Sequence, residues 1–143
     1  YSFHKVKNTP APYFDLDTEY KVQRSVASVI KNKLVKSAHD VSDGGLFMTL
    51  LESAMVKGHG FEISSDASLR KDAFLFGEAQ SRVVLSVSEA SAAGLETELK
   101  KQDVAFTKLG TVKGNSVVVD GTNYGLVNDY KQSFETSIES YLS

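Results

Sequence analysis

His39, Asp40, Ser42 and Asp43 fall in one short run that ends in Gly44-Gly45 and opens into Leu46. An imidazole that titrates near neutrality can serve as a general acid or as a donor to phosphate. Carboxylates bind magnesium through oxygen, and a serine hydroxyl donates to phosphate. Two glycines let the main chain approach a ligand closely, and the first amides of a helix favour an anion. The run therefore points to a phosphate or carboxylate subsite. Each residue also has a structural reading. Ser42 can cap a helix, Asp40 and Asp43 can cap a helix or form ion pairs, the glycines can serve a tight turn alone, and His39 can bond to backbone at a strand end.

Several chemistries are excluded by the wording. No Lys-Ser/Thr pair follows the glycines, as a P-loop requires, and there is no GxGxxG. No Gly-x-Ser-x-Gly surrounds Ser42, so a hydrolase nucleophile has no setting. His39 and Asp40 are not a zinc pair, because neighbours on a strand face opposite sides. A second cluster follows at Glu78, Ser81 and Arg82. A guanidinium forks onto phosphate or carboxylate; the alternative for Arg82 is an ion pair with Glu78 that braces the loop.

The elements around these residues must hold them in place. Residues 1–14 carry Pro10 and Pro12 and read as a lead-in from an upstream domain, with a single domain over 15–143. Helical spacing begins near Asp17, with Tyr20, Val26, Ile30 and Leu34 on one face and Asp15, Asp17 and Glu19 at its start. A short strand is expected over 36–41, then a helix with Leu46, Phe47, Leu50, Leu51, Ala54 and Met55 facing inward. Gly58 is a left-handed stop before a brief strand at Phe61-Glu62-Ile63. Residues 64–81 read as a loop with one helical turn, and 82–87 as a buried β-branched strand. Ser88 can cap a helix over 89–101 with Ala92, Leu95 and Leu99 inside. Strands over 104–112 and 116–120 are expected to form a hairpin around Lys113-Gly114-Asn115. Tyr130, Phe134, Ile138 and Tyr141 mark a final helix after Asn128. The order β-α-β-β-α-β, flanked by helices, predicts an α+β fold: a mixed sheet in α/β/α layers, akin to the ferredoxin-like arrangement.

Composition fits an ordinary globular domain. The chain has 143 residues, 41% hydrophobic and 24% charged, enough for a core without staples. A net charge of −2 gives no basic face for nucleic acid or anionic membrane. With no cysteine, a disulfide framework, a thiolate metal site and a cysteine nucleophile are excluded. No apolar run is long enough to span a membrane, and a start at Tyr1 reads as a piece of a longer polypeptide.

The string from His39 to Leu46 resembles the signature of the C-terminal-type domain of the aminoimidazole-ribonucleotide synthetase superfamily. Within it, the wording is most similar to the phosphoribosylformylglycinamidine synthase family, and Leu75-Phe76-Gly77-Glu78-Ala79-Gln80-Ser81-Arg82 resembles that family's Phe-Gly-Glu-x-x-Ser-Arg segment. Residues 11–16 match more loosely. The resemblance implies a cytoplasmic parent that uses ATP, Mg²⁺ and glutamine to convert formylglycinamide ribonucleotide to formylglycinamidine ribonucleotide in purine biosynthesis. It implies that this piece forms one wall of the cleft, with Ser42, Gly44, Gly45, Ser81 and Arg82 toward substrate phosphate. His39 would be a catalytic group, with Asp40, Asp43 and Glu78 in support. The metal ligands and most of the ATP contacts are expected on a separate nucleotide-binding domain, and ammonia from a glutaminase domain or subunit. Alone, the piece should be inactive. The rival expectations are a non-catalytic or auxiliary-nucleotide copy of the domain, and a domain of another ATP-dependent synthetase of the superfamily. Gly45→Val is expected to silence the parent while leaving this domain folded.

Overall fold

A computed structural model describes residues 13–142. The expected lead-in lies outside them, apart from Tyr13 and Phe14. Helix α1 covers Leu16–Lys31 and is capped by Asp15, whose carboxylate accepts from the Thr18 amide at 2.7 Å. Its inward residues are Ser25 and Val29; Tyr20 and Ile30, expected inside, are exposed. The inward side is set by Val29, which packs with Leu95 and Leu99.

Strand β1 (Ser37–Asp40) pairs antiparallel with β3 (Val83–Ser86), His39 opposite Val84. Both lie within the expected ranges, although β3 is half-buried rather than buried. Helix α2 (Gly45–Met55) follows the glycine turn, and Gly58 stops the chain at φ +68° as expected. Strand β2 (Phe61–Ile63) leads to α3 (Lys71–Phe76), the single turn foreseen in the loop. Helix α4 (Glu89–Lys101) buries Leu95 and Leu99; Ser88 stands at its cap position, where its carbonyl accepts from the Ser91 amide but its side chain bonds to no helix amide.

The expected hairpin between 104–112 and 116–120 does not form. Strand β4 is only Gly110–Val112, and it and β5 (Ser116–Val119) lie on opposite sides of β2. The connection crosses the end of β2: Gly60 donates to the Gly114 carbonyl and accepts from the Lys113 amide. The real hairpin is one step later. Asp120 and Gly121, both at positive φ, turn β5 into β6 (Thr122–Leu126), a strand the periodicity did not reveal. The four-stranded sheet runs β4-β2-β5-β6, parallel between β2 and β5 and antiparallel elsewhere. Helix α5 (Val127–Leu142) closes the chain, with Phe134 and Ile138 exposed rather than packed.

The fold is α+β, with a mixed sheet flanked by helices, as expected. Hydrogen bonding divides the strands into two ladders, and two cores follow from that division. The larger joins Leu46, Leu51, Met55, Phe61, Ile63, Phe74, Val117 and Val119 between α2, α3 and the four-stranded sheet. The smaller joins Val29, Leu95 and Leu99 between α1 and α4. Alternation along β3 serves both: Val84 packs on the first and Leu85 on the second. The β1–β3 ladder is thus held from both faces, and its open end carries the two residue clusters.

Candidate functional site

The turn after β1 and the loop before β3, separate clusters in the sequence, form one structure. The Val41 amide donates to the Arg82 carbonyl at 2.9 Å, extending the ladder into both. The Gly44 amide donates to Glu78 Oε1 at 2.9 Å. Glu78 therefore caps α2 from far along the chain, a role for which the sequence offers Ser42, Asp40 and Asp43 as local alternatives. Gly44 stands at φ +78° and no local side chain caps the helix.

Gly45 is a packing glycine. At φ +66° it is pressed on the end of α3: a Cβ there would lie 2.7 Å from the Phe76 carbonyl carbon and 2.9 Å from the Gly77 oxygen. Its amide donates to the Ser42 carbonyl at 3.0 Å. The two glycine amides expected to hold phosphate thus have partners within the chain. The expectation that Gly45→Val leaves the domain folded is corrected by the same contact, since backbone cannot yield cheaply to a branched side chain.

His39 is also engaged internally. Its ring, about one-third exposed, places Nδ1 2.7 Å from the Asp40 carbonyl and Nε2 3.1 Å from Glu52 Oε2 on α2. The ring bridges β1 to α2, the strand-end role weighed against catalysis. Glu52 was not singled out from sequence; nothing in an acidic residue on a helix announces a partner on the preceding strand. Asp40 approaches His39 Nδ1 only at 3.8 Å, and Asp43 is exposed. Ser42 is exposed, and its hydroxyl has no hydrogen-bond partner among the described residues.

Ser81 takes the left-handed conformation at φ 63°, and its hydroxyl donates to Glu19 Oε2 on α1. That hydrogen bond, with a second from Gln23, holds the Glu19 carboxyl below its usual pKa. The hydroxyl expected to donate to substrate is already donated to Glu19. In the sequence, Glu19 is legible only as an acidic complement to the helix dipole.

Arg82 is what the chain leaves open. The alternative ion pair with Glu78 is absent: Glu78 is on Gly44, and Arg82 Nη1 donates to the Gly77 carbonyl at 3.0 Å. Among the described residues no carboxylate stands within ion-pair distance of Arg82. Burial pushes its pKa below the ordinary arginine value, which still leaves a guanidinium charged at neutral pH. The carbonyl it holds is the one packed on Gly45, so the cation sits against the glycine turn. A half-buried guanidinium with donors to spare and no counter-charge is complementary to an anion. Among the described residues, no group of three or more His, Asp or Glu converges to hold a metal.

A β1–turn–α2 unit faced by an arginine loop from β3 defines an α+β domain whose open end presents an uncompensated cation. Its sequence matches the model of the family described as AIR synthase related protein, C-terminal domain, over residues 7–121, and the chain belongs to that family. It is 39% identical over 138 residues to the phosphoribosylformylglycinamidine synthase subunit PurL of Salinibacter ruber, covering 90% of this chain and 18% of the relative. The corresponding subunit of Deinococcus radiodurans is 39% identical over 119 residues, covering 81% of this chain and 16% of the relative. The chain thus spans less than a fifth of the length of these relatives. Among solved structures, Thermotoga maritima PurL complexed with FGAR shares the fold at TM-score 0.74 and 16% identity, over 90% of this chain and 23% of that one. The same protein complexed with ATP matches at TM-score 0.65 and 15% identity, over 76% of this chain and 20% of that one.

Proposed function

We propose that this domain belongs to a longer, cytoplasmic phosphoribosylformylglycinamidine synthase and forms the wall of its cleft that receives a substrate phosphate. The parent would use ATP and glutamine to convert formylglycinamide ribonucleotide to formylglycinamidine ribonucleotide. A nucleotide-binding domain would carry the magnesium and ATP contacts, and a glutaminase domain or subunit would supply ammonia. This piece alone would be inactive. The observation that carries the reading is the uncompensated Arg82 guanidinium packed against the glycine turn. Ser42, with its exposed hydroxyl on that turn, is the second donor. The glycines and Glu78 shape the wall rather than contact the ligand.

A hydrogen bond to a charged group contributes about 1.5–3 kcal/mol. In the parent enzyme, Arg82→Gln is therefore expected to raise KM for formylglycinamide ribonucleotide at least about tenfold, with Arg82→Lys in between. A KM unchanged in both variants would refute the reading. A second reading, a non-catalytic copy bracing an assembly, is favoured by the internal partners of both glycine amides. Unaltered turnover in Arg82→Gln together with loss of assembly would support that alternative.

A further inference from the structure

We infer that Glu19 of α1 is a positioning residue for Arg82, acting through the backbone conformation of Ser81. This rests on the phosphate-holding reading of Arg82 and deepens it.

Among the described residues, Ser81 is one of four non-glycine residues at positive φ, at 63°. Left-handed backbone is unfavourable for any residue with a Cβ and persists where its surroundings enforce it. The enforcing contact here is the hydroxyl of Ser81 donating to Glu19 Oε2. The Glu19 carboxylate is itself oriented by Gln23 Nε2, 2.6 Å from its other oxygen. The chain direction at Ser81 decides where Arg82 begins. Two bonds of Arg82 depend on that direction: its carbonyl accepts from the Val41 amide, and its guanidinium donates to the Gly77 carbonyl. A relaxed Ser81 would rotate both. Glu19 reaches this joint from α1, whose Val29 packs in the smaller core, whereas Leu46 beside the glycine turn packs in the larger one. It carries charge but is not an ion-pair partner of Arg82 within 4.0 Å, so it fixes the cation without neutralising it.

The test uses this chain, ¹⁵N-labelled, with inorganic phosphate as probe and the Arg82 Nε–Hε resonance as reporter. Glu19→Ala is expected to shift that resonance in the free protein and to weaken phosphate binding at Arg82 about fivefold. Glu19→Gln keeps an acceptor for the Ser81 hydroxyl and should restore both. Glycine adopts the left-handed region unaided. In a Ser81→Gly background, adding Glu19→Ala should therefore change neither the resonance nor the affinity. A purely structural brace would show its effect undiminished in that background, and this result overturns the inference. So does an Arg82 resonance and affinity indifferent to Glu19→Ala. Should the wild-type chain give no phosphate response at Arg82, the phosphate reading falls while the positioning claim is judged by the free-protein resonance. A shift in Glu19→Ala that is absent in the Ser81→Gly background supports it, and no shift sinks it.

Discussion

Replacing Gly45 by alanine should unfold this domain more readily than its modest chemistry suggests. Two costs combine. At φ +66° an L-residue is strained by about 1–2 kcal/mol. The added methyl would also stand 2.7 Å and 2.8 Å from the carbonyl carbon and Cα of Phe76, both backbone atoms held by α3. Forcing carbon into a filled space costs about 1–3 kcal/mol. The sum, about 2–5 kcal/mol, is a large part of a typical domain stability of about 5–15 kcal/mol. Gly114 separates the terms, since at φ +59° a methyl there meets nothing within 4 Å. Urea unfolding followed by circular dichroism should place Gly114→Ala slightly below wild type and Gly45→Ala well below both. With m near 1–3 kcal/mol/M, the second drop is on the order of 1–2 M in midpoint. If the two variants melt together, α3 does not press on the glycine turn and the packing argument fails.

Two further outcomes test the neighbouring contacts. Glu78→Ala removes the distant cap from the Gly44 amide; it should cost about 1 kcal/mol and speed hydrogen exchange at that amide, and unchanged exchange would count against the cap. Asp120 is held at a pKa of about 2 by the Ser65 amide, then by the Lys71 ammonium and the Ser65 hydroxyl. Because its folded pKa lies below the ordinary value of 3.8, its contribution is complete above that value and is lost as pH falls toward 2. Asp120→Asn should therefore destabilise the domain at neutral pH, and acid melts should show that difference shrinking over the same range. A constant gap across that range would show that Asp120 does not titrate this way.

The parts of the fold set by local chemistry were legible in the sequence. The boundaries of α4, the Gly58 stop and the turn leading into α2 follow from glycines and apolar spacing close along the chain. What could not be read was pairing at a distance. Lys113-Gly114-Asn115 has the composition of a hairpin, but whether β2 inserts between the flanking strands is decided by tertiary hydrogen bonds to Gly60. The candidate site divides the same way. The two clusters were visible as residue types, and Arg82 was among them. Their union through Glu78, Gly77 and Gly45 was not, because each contact joins residues some thirty positions apart. The roles of Glu19 and Glu52 were hidden for a simple reason. A first-turn acid and a mid-helix acid have ordinary local explanations, and only the folded chain brings Ser81 and His39 to them.

The most direct test is a crystal structure of the parent enzyme with formylglycinamide ribonucleotide bound. The substrate phosphate is expected within hydrogen-bond distance of the Arg82 guanidinium, above the turn that carries Ser42. A phosphate held wholly by other domains, with Arg82 still on the Gly77 carbonyl and facing protein, would contradict the account.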